Sequence, residues 1–381
     1  MIIGIFFESH LGSGGSYTYS LNIILKLKKL FKKKNKFIIY THYPENIKIL
    51  KRFNINVRLI KFSLLDRFLL KVNKVKFFKN LFDYSFLLSS LETKLKKDNI
   101  NIIFYPALSD TTLIIKNFKF ISTVLDLCHI YYNRNFPEIS KKEFIYREYL
   151  NNYCLNKSIL TITNSNELKK QISTNYKINI NKVINFPFEP KKIVHKKNYN
   201  KKKYDLKYKK MKNIFFYPAH IWSHKNHLSL LKSAKSLNLN DFSFVFSGRD
   251  KGNKKNLLEY AKKKNVNNIY FTGFLPPEEI DYLYRNCKCV IMPSYFGPTN
   301  LPPLEAFIYN KPLIYNKSFE SEIGKNTCYF VNVDKPAQIS KAINLVIRKK
   351  YPKKFVKNSK KKLSNLNNEI DQSLKQIKAL L

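Results

Sequence analysis

Apolar residues in this chain follow two alternating patterns: short runs rich in Ile, Val, Phe and Tyr, and stretches in which they recur every three or four positions. The opening run 2–7 has strand length, the loop 8–16 follows, and Tyr19, Ile23, Leu27, Leu30 and Phe31 then fall at helical spacing. Runs 37–41, 57–60, 102–105, 120–125 and 159–163 predict further strands, separated by helical stretches such as 143–154 and 165–173. Strands that alternate with helices predict a parallel sheet.

Around 187–190 the pattern breaks, and residues 191–212 hold eleven lysines against a single acid, Asp205. The alternation then restarts. Strands are predicted over 214–217, 242–247, 269–271, 289–292, 312–315 and 328–331, with helices over 227–237, 254–264, 277–286, 303–309 and 336–347. The expected organisation is an N-terminal domain over 1–188, a lysine-rich linker over 189–212, a C-terminal domain over 213–356, and a helical tail over 357–381 that packs back on the first domain. Open parallel sheets bind ligands at the carboxyl ends of their strands, so chemistry is expected in the loops after Phe7, Leu125, Tyr217, Ser247 and Met292.

Composition adds a question of charge. The 381 residues carry 70 Lys+Arg against 26 Asp+Glu, a formal net charge of +44, while 44% are apolar and 15% aromatic. That much apolar material can fill two cores and disfavours disorder. The charge points to a polyanionic partner: nucleic acid, an anionic membrane surface or phosphorylated small molecules. It comes with abundant Asn and Ile, so it reads equally as compositional drift on solvated surfaces. No zinc-finger spacing, aromatic RNA-binding signature or single basic recognition helix accompanies it, which argues against nucleic acid. No run approaches the roughly 18 apolar residues of a membrane span. The start lacks the basic region and small-residue cleavage site of a secretory signal, so the expected location is the cytoplasm. Five cysteines, an odd number without a C-x-x-C pair, predict reduced thiols rather than a disulfide framework or zinc site.

Three loops carry the unusual residues. The first holds Gly12, Gly14 and Gly15 before Ser16 at a helix start, where free backbone N–H groups meet the positive end of a helix dipole. The loop can cradle a phosphate or admit a sugar, or be no more than a tight strand-to-helix turn. Tyr17 stands where a dinucleotide fingerprint would have its third glycine. The second loop reads YPAHIWSHKNH from Tyr217 to His227, and the third reads PSYFGPTNLPPLEAF from Pro293 to Phe307.

Together these three loops resemble the group 1, B-type retaining glycosyltransferases, closely in the second domain and more loosely in the first. The resemblance implies an α/β fold of two facing Rossmann-like domains with an interdomain cleft. It further implies a nucleotide-diphosphate sugar donor held by the second domain and a saccharide or lipid-linked acceptor held by the first. Lys225 corresponds to the phosphate-binding lysine, and the N–H groups of Thr299, Asn300 and Leu301 before Pro303 suit a diphosphate. Glu305, read in the first turn of that helix, resembles the glutamate that accepts hydrogen bonds from the donor ribose. Gly297 stands where the family commonly has a second glutamate, and His220 where it has an arginine. His220 is then a pH-dependent second charge, and Arg249 a possible replacement. In the first domain Asp126 and His129 resemble the family's Asp-Leu-x-His loop facing acceptor and donor sugar, with a strand-end turn as the alternative. Gly14 and Gly15 belong to the same expected site.

No cofactor is implied. His220, His224 and His227 lie close in sequence but without an accompanying Cys, Asp or Glu, and no Asp-x-Asp pair occurs in the chain, so no metal is expected. Ser165 reads as a helix N-cap. Segment 61–88 and the lysine-rich end of helix 17–34 can either face an anionic membrane or, for the aromatics, form the core of the first domain. Two rival classes stay open: a sugar-nucleotide epimerase or phosphorylase of the same plan, and a basic nucleic-acid-binding protein without catalysis.

Overall fold

The computed structural model describes residues 1–31, 36–132, 136, 138–190, 201–297 and 301–380. The chain forms two compact units. The first comprises Met1–Asn133, Ile139–Glu189 and Asn368–Leu381; the second comprises Arg134–Glu138 and Pro190–Asn367.

The first unit is built on seven strands: β1 (Ile2–Phe6), β2 (Lys36–Thr41), β3 (Asn56–Leu59), β4 (Ile102–Phe104), β5 (Phe120–Thr123), β6 (Leu160–Thr163) and β7 (Val183–Asn185). They pair in the order β3-β2-β1-β4-β5-β6-β7, every pairing parallel. β4, β5 and β6 are buried at every position, which is why they read as unbroken apolar or small-polar runs. Phe6 packs between the rings of Tyr40 and Tyr105, at centroid distances of 5.3 and 5.1 Å, at the centre of this sheet's core.

The second unit holds β8 (Ile214–Pro218), β9 (Ser243–Ser247), β10 (Ile269–Gly273), β11 (Cys289–Met292), β12 (Leu313–Asn316) and β13 (Tyr329–Val331), in the order β10-β9-β8-β11-β12-β13, again all parallel. Phe215, Phe216, Tyr217, Phe244 and Phe246 are fully enclosed and form an aromatic centre for it. In both sheets the order runs outward in two directions from an inner pair, β1 with β4 and β8 with β11. The loops leaving that pair diverge and open a crevice.

Four details depart from expectation. β7, with the sequence VIN, was not foreseen, because Asn185 interrupts an apolar run that in the equally short β4 and β13 is unbroken. Lys201–Tyr208, within the stretch read as linker, is a helix that buries Tyr204 and Tyr208, and the Tyr208 hydroxyl donates to Glu279 at 2.6 Å. The helix expected at 303 starts at Leu301, because Pro302 and Pro303 both fit a first turn whose N–H groups have no intrahelical acceptor. Segment 61–88 folds into the helices Leu64–Val72 and Lys76–Tyr84, and its reading as core holds for Leu69 and Phe82 but fails for Phe68, Phe77, Phe78 and Phe86, which are exposed. All five cysteines are free and buried.

Candidate functional site

In the second unit β8 delivers the chain to a short 3-10 turn, Ser223–Lys225, and then to the helix His227–Ala234. Asn226 makes the corner in the left-handed region at φ 55°, which asparagine tolerates better than most residues. The buried Tyr217 hydroxyl donates to the Lys225 carbonyl at 2.8 Å and so fixes the turn to its own strand. Lys225 is half-buried rather than solvent-facing, and its Nζ lies 3.4 Å from the Ser294 hydroxyl at the end of β11. The Tyr295 N–H donates to the His224 carbonyl at 2.9 Å, tying the loops after β8 and β11 together at the crevice. The predicted phosphate-binding cation is therefore held at the crevice of its sheet.

The three neighbouring histidines have separate tasks. His220 Nδ1 accepts from the Arg249 N–H at 2.9 Å, a bond open only to a ring without a proton on that nitrogen. His224 donates its backbone N–H and turns Nδ1 to the same Glu138 oxygen, at 3.0 and 2.9 Å, while its ring stacks on Phe296 at 3.9 Å. His227 is fully buried against the Tyr217 ring, and burial pushes its pKa down to about 3, which keeps it neutral. Among the described residues no three His, Cys, Asp or Glu side chains gather as a metal-binding group.

Arg249 is exposed, its guanidinium 5.2 Å from the centre of the Phe274 ring. Its loop is pressed onto the loop after β8: a Cβ on Gly248 would lie 2.4 Å from the Ala219 carbonyl oxygen, so only glycine fits there. Gly297 turns the chain at φ 98° and its carbonyl accepts from the Tyr315 hydroxyl at 3.4 Å. Thr299 and Asn300 lie outside the described residues, and Leu301 opens the helix Leu301–Ile308. Glu305 consequently stands in the second turn of that helix, not the first. It is buried, its Oε2 accepts from the Tyr284 hydroxyl at 2.5 Å, and burial pushes its carboxyl up to about 7.

In the first unit the loop after β1 carries Glu8, and Gly14 at φ 64° caps the helix Gly15–Leu30. A Cβ on Gly15 would meet nothing within 4 Å, so the space above that helix start is open. Glu8 accepts from the Ser109 hydroxyl and lies 3.2 Å from His42 Nε2 and 3.5 Å from the Thr111 hydroxyl. This cluster gathers the ends of β1 and β2 with the chain after β4, and sequence reasoning missed it. Its one linear signal was an acid directly after the first strand, while its partners lie 34 to 103 residues away.

Asp126 is accessible, with Oδ1 accepting from the Cys128 N–H at 3.1 Å and lying 3.7 Å from Arg147. His129 is not. Its side chain is 1% exposed and Nε2 meets Glu148 at 2.7 Å, so the pair expected to face an acceptor together is split between surface and interior. Ser165 accepts from the Leu168 N–H at 3.0 Å as a helix N-cap.

Two parallel α/β units with polar loops at the crevice of each sheet define the architecture of the B-type glycosyltransferases. Residues 198–362 match the family model of glycosyl transferases group 1. Solved structures agree over the whole length. A glycosyltransferase from Rickettsia africae aligns at TM-score 0.69 and 17% identity, covering 100% of this chain and 97% of its own. Anabaena HepE in complex with UDP-glucose aligns at 0.73 and 13%, covering 100% of both chains. Sucrose-phosphate synthase from Thermosynechococcus elongatus aligns at 0.71 and 13%, covering 100% of this chain and 99% of its own. No curated protein matches the chain in sequence. Family and fold together support glycosyltransferase activity. Among the described residues no helix is long and apolar enough to cross a membrane.

Proposed function

We propose that this protein is a retaining, metal-independent glycosyltransferase that moves a sugar from a nucleotide-diphosphate donor to a hydroxyl of a saccharide or lipid-linked glycan. Its setting is cell-surface polysaccharide synthesis in the cytoplasm, at the inner face of the cytoplasmic membrane. The observation that carries the reading is Lys225 poised beside Ser294 at the β8/β11 crevice, inside the region that matches the family. A cation fixed there stabilises the charge that builds on the departing diphosphate more than it stabilises the bound substrate, which is what accelerates transfer.

In this reading residues 213–356 bind the donor and 1–188 the acceptor, joined through 189–212, with 357–381 as a helical tail. The backbone at 299–301 and Gly297 line the diphosphate and sugar. Glu305, with Oε2 committed to Tyr284, offers Oε1 to a ribose hydroxyl. His220 and Arg249 border the donor loop, Gly14 and Gly15 leave room for a sugar, and Asp126 orients the acceptor. His129, enclosed beside Glu148, acts as a positioning residue for that loop. In the transfer the acceptor oxygen bonds to the anomeric carbon as that carbon's bond to the phosphate oxygen breaks. The hydroxyl proton passes to the leaving phosphate on the same face.

HepE was solved with UDP, with UDP and glucose, and with UDP-glucose, which ranks uridine donors first in a screen. Nucleotide sugars are tested for thermal stabilisation of the purified chain, since a ligand that binds only the folded state raises the melting temperature. One of them should do so and should be consumed when a glycan acceptor is added, with turnover preserved in EDTA. A panel without any stabilising nucleotide sugar refutes the reading, and turnover abolished by EDTA and restored by magnesium or manganese refutes its metal independence.

A further inference from the structure

The helices Leu64–Val72 and Lys76–Tyr84 of the first unit each turn one face to the core, where Leu65 and Leu70 pack beside Leu69, and leave other large apolar residues exposed. The first buries Asp66 and Leu69, the second Lys79 and Phe82. Leu69 and Phe82 enter the same core cluster as Phe6, Tyr40 and Tyr105, so the opposite faces of both helices turn away from that core. Those faces are apolar too: Leu64, Phe68, Phe77, Phe78, Leu81 and Tyr84 are exposed, Leu64 by 85% and Tyr84 by 90%. Positions 77, 78, 81 and 84 form one helical stripe. Beyond it the chain continues with Phe86 fully open to solvent. Single exposed apolar residues are ordinary on a protein surface, but so dense a group of large ones marks an interaction site.

Charge decides what covers it. Between residues 61 and 88 every exposed charged side chain is basic: Lys61, Arg67, Lys71, Lys74 and Lys76. The two acids of the stretch are engaged internally. Asp66 closes a capping box with Ser63, and Asp83 pairs with the buried Lys79. Lys79 Nζ also lies 5.1 Å from the centre of the Phe82 ring and 4.7 Å from that of Tyr153, which helps hold the second helix by its inner face. A second copy of the chain would bring the same basic rim and the same net charge of +44, so like charge opposes self-association here. Aromatic side chains rimmed by cations match the boundary of an anionic bilayer, where apolar groups enter the acyl edge and ammonium groups meet lipid phosphates.

We propose that this face docks peripherally on an anionic phospholipid bilayer, with the stripe of Lys76–Tyr84 entering the headgroup boundary and Lys61, Arg67, Lys71 and Lys76 meeting lipid phosphates. Lys74 is partly engaged by Asp110 at 2.9 Å. The attachment is assigned by exposed side chains of the first unit alone and stands whatever donor or acceptor the protein uses. It also shifts the contact away from the lysines of 26–36, where residues 32–35 lie outside the described residues.

Flotation of the full chain tests it, with vesicles of phosphatidylcholine alone and with phosphatidylglycerol added, at low and high salt. The chain should float with anionic vesicles at low salt and several-fold less with neutral ones. The triple variant Phe77→Ser, Phe78→Ser, Leu81→Ser should lose about tenfold in recovery while keeping the wild-type melting temperature, since it removes only exposed apolar area. Lys71→Glu with Lys76→Glu should lower recovery at low salt and leave the high-salt value unchanged. If the triple variant melts early, Tyr84→Ser with Phe86→Ser supplies the same reading from more exposed positions. Equal flotation with both vesicle types, or apolar variants that float like wild type, overturns the proposal. So does a wild-type dimer in size-exclusion chromatography that the apolar variants convert to monomer, because the face would then be covered by a second copy.

Discussion

The two units open a crevice at the same point of the same strand order and furnish it with opposite chemistry. Between β8 and β11 the second unit sets Lys225 beside Ser294, a cation beside a hydroxyl, with the helix Leu301–Ile308 starting nearby in sequence. Between β1 and β4 the first unit sets the Glu8 carboxylate, held by His42, Ser109 and Thr111. Strand order decides where a ligand binds, and side chains decide whether it is a phosphate or a hydroxyl-rich molecule. The units also differ in what ties their loops. In the second the ties are backbone ones: Gly248 permits close contact with Ala219, and the Tyr295 N–H bonds to the loop after β8. In the first they are side-chain ones, from Glu8 to His42, Ser109 and Thr111 and from Asn46 to the Ser9 carbonyl.

The sharpest way to break the contrast is Lys225→Ala. Removing a preorganised charge-stabilising group costs on the order of 100- to 1,000-fold in turnover, and the half-buried side chain should leave the melting temperature nearly unchanged. Retained turnover in a nucleotide-sugar assay would show that the diphosphate is met elsewhere. Next in size is the titration of Glu305. Burial raises its carboxyl from 4.5 to about 7 in the fold, so the folded state prefers the protonated form. That stabilising preference is complete below about pH 4.5 and is lost as pH rises through about 7, a loss of at most about 3 kcal/mol. Denaturant midpoints over this range should fall more steeply with pH in wild type than in Glu305→Gln, while donor affinity should rise with pH in wild type alone. Parallel curves would show that Glu305 does not titrate there.

Gly248→Ala should follow, costing about 1–3 kcal/mol because the added methyl meets backbone that cannot rotate away. A wild-type melting temperature would mean that the two loops separate freely. The smallest effect is expected at the other crevice: Glu8→Gln should raise the acceptor KM by about 2- to 10-fold, the weight of a weakened hydrogen bond. Donor affinity should stay as it was. A change in donor affinity instead would erase the division of labour between the units.

The alternating runs made both sheets legible apart from β7, since a buried parallel strand announces itself by composition alone. Lys225 stood out only through the resemblance of the loop 217–227 to the group 1 glycosyltransferases, and the structure adds its place beside Ser294. What the chain hides is distance. His42 reaches Glu8 across 34 positions, and Tyr284 encloses Glu305 across 21. The aromatics of 61–88 misled for another reason. Helical spacing gives an amphipathic face but not which side of it the fold covers, and Phe82 is buried while its neighbours Phe77 and Phe78 are exposed.

The buried cysteines have a practical consequence. Burial pushes the thiols of Cys154 and Cys287 up to about 12 and raises those of Cys128, Cys289 and Cys328 well above the usual thiol value, so almost none of the five is present as the nucleophilic thiolate near neutral pH. A folded sample should therefore be silent toward maleimide reagents without any cysteine having been removed. A single cysteine placed at an exposed position such as Phe86 would then be the one site that takes a fluorophore or spin label.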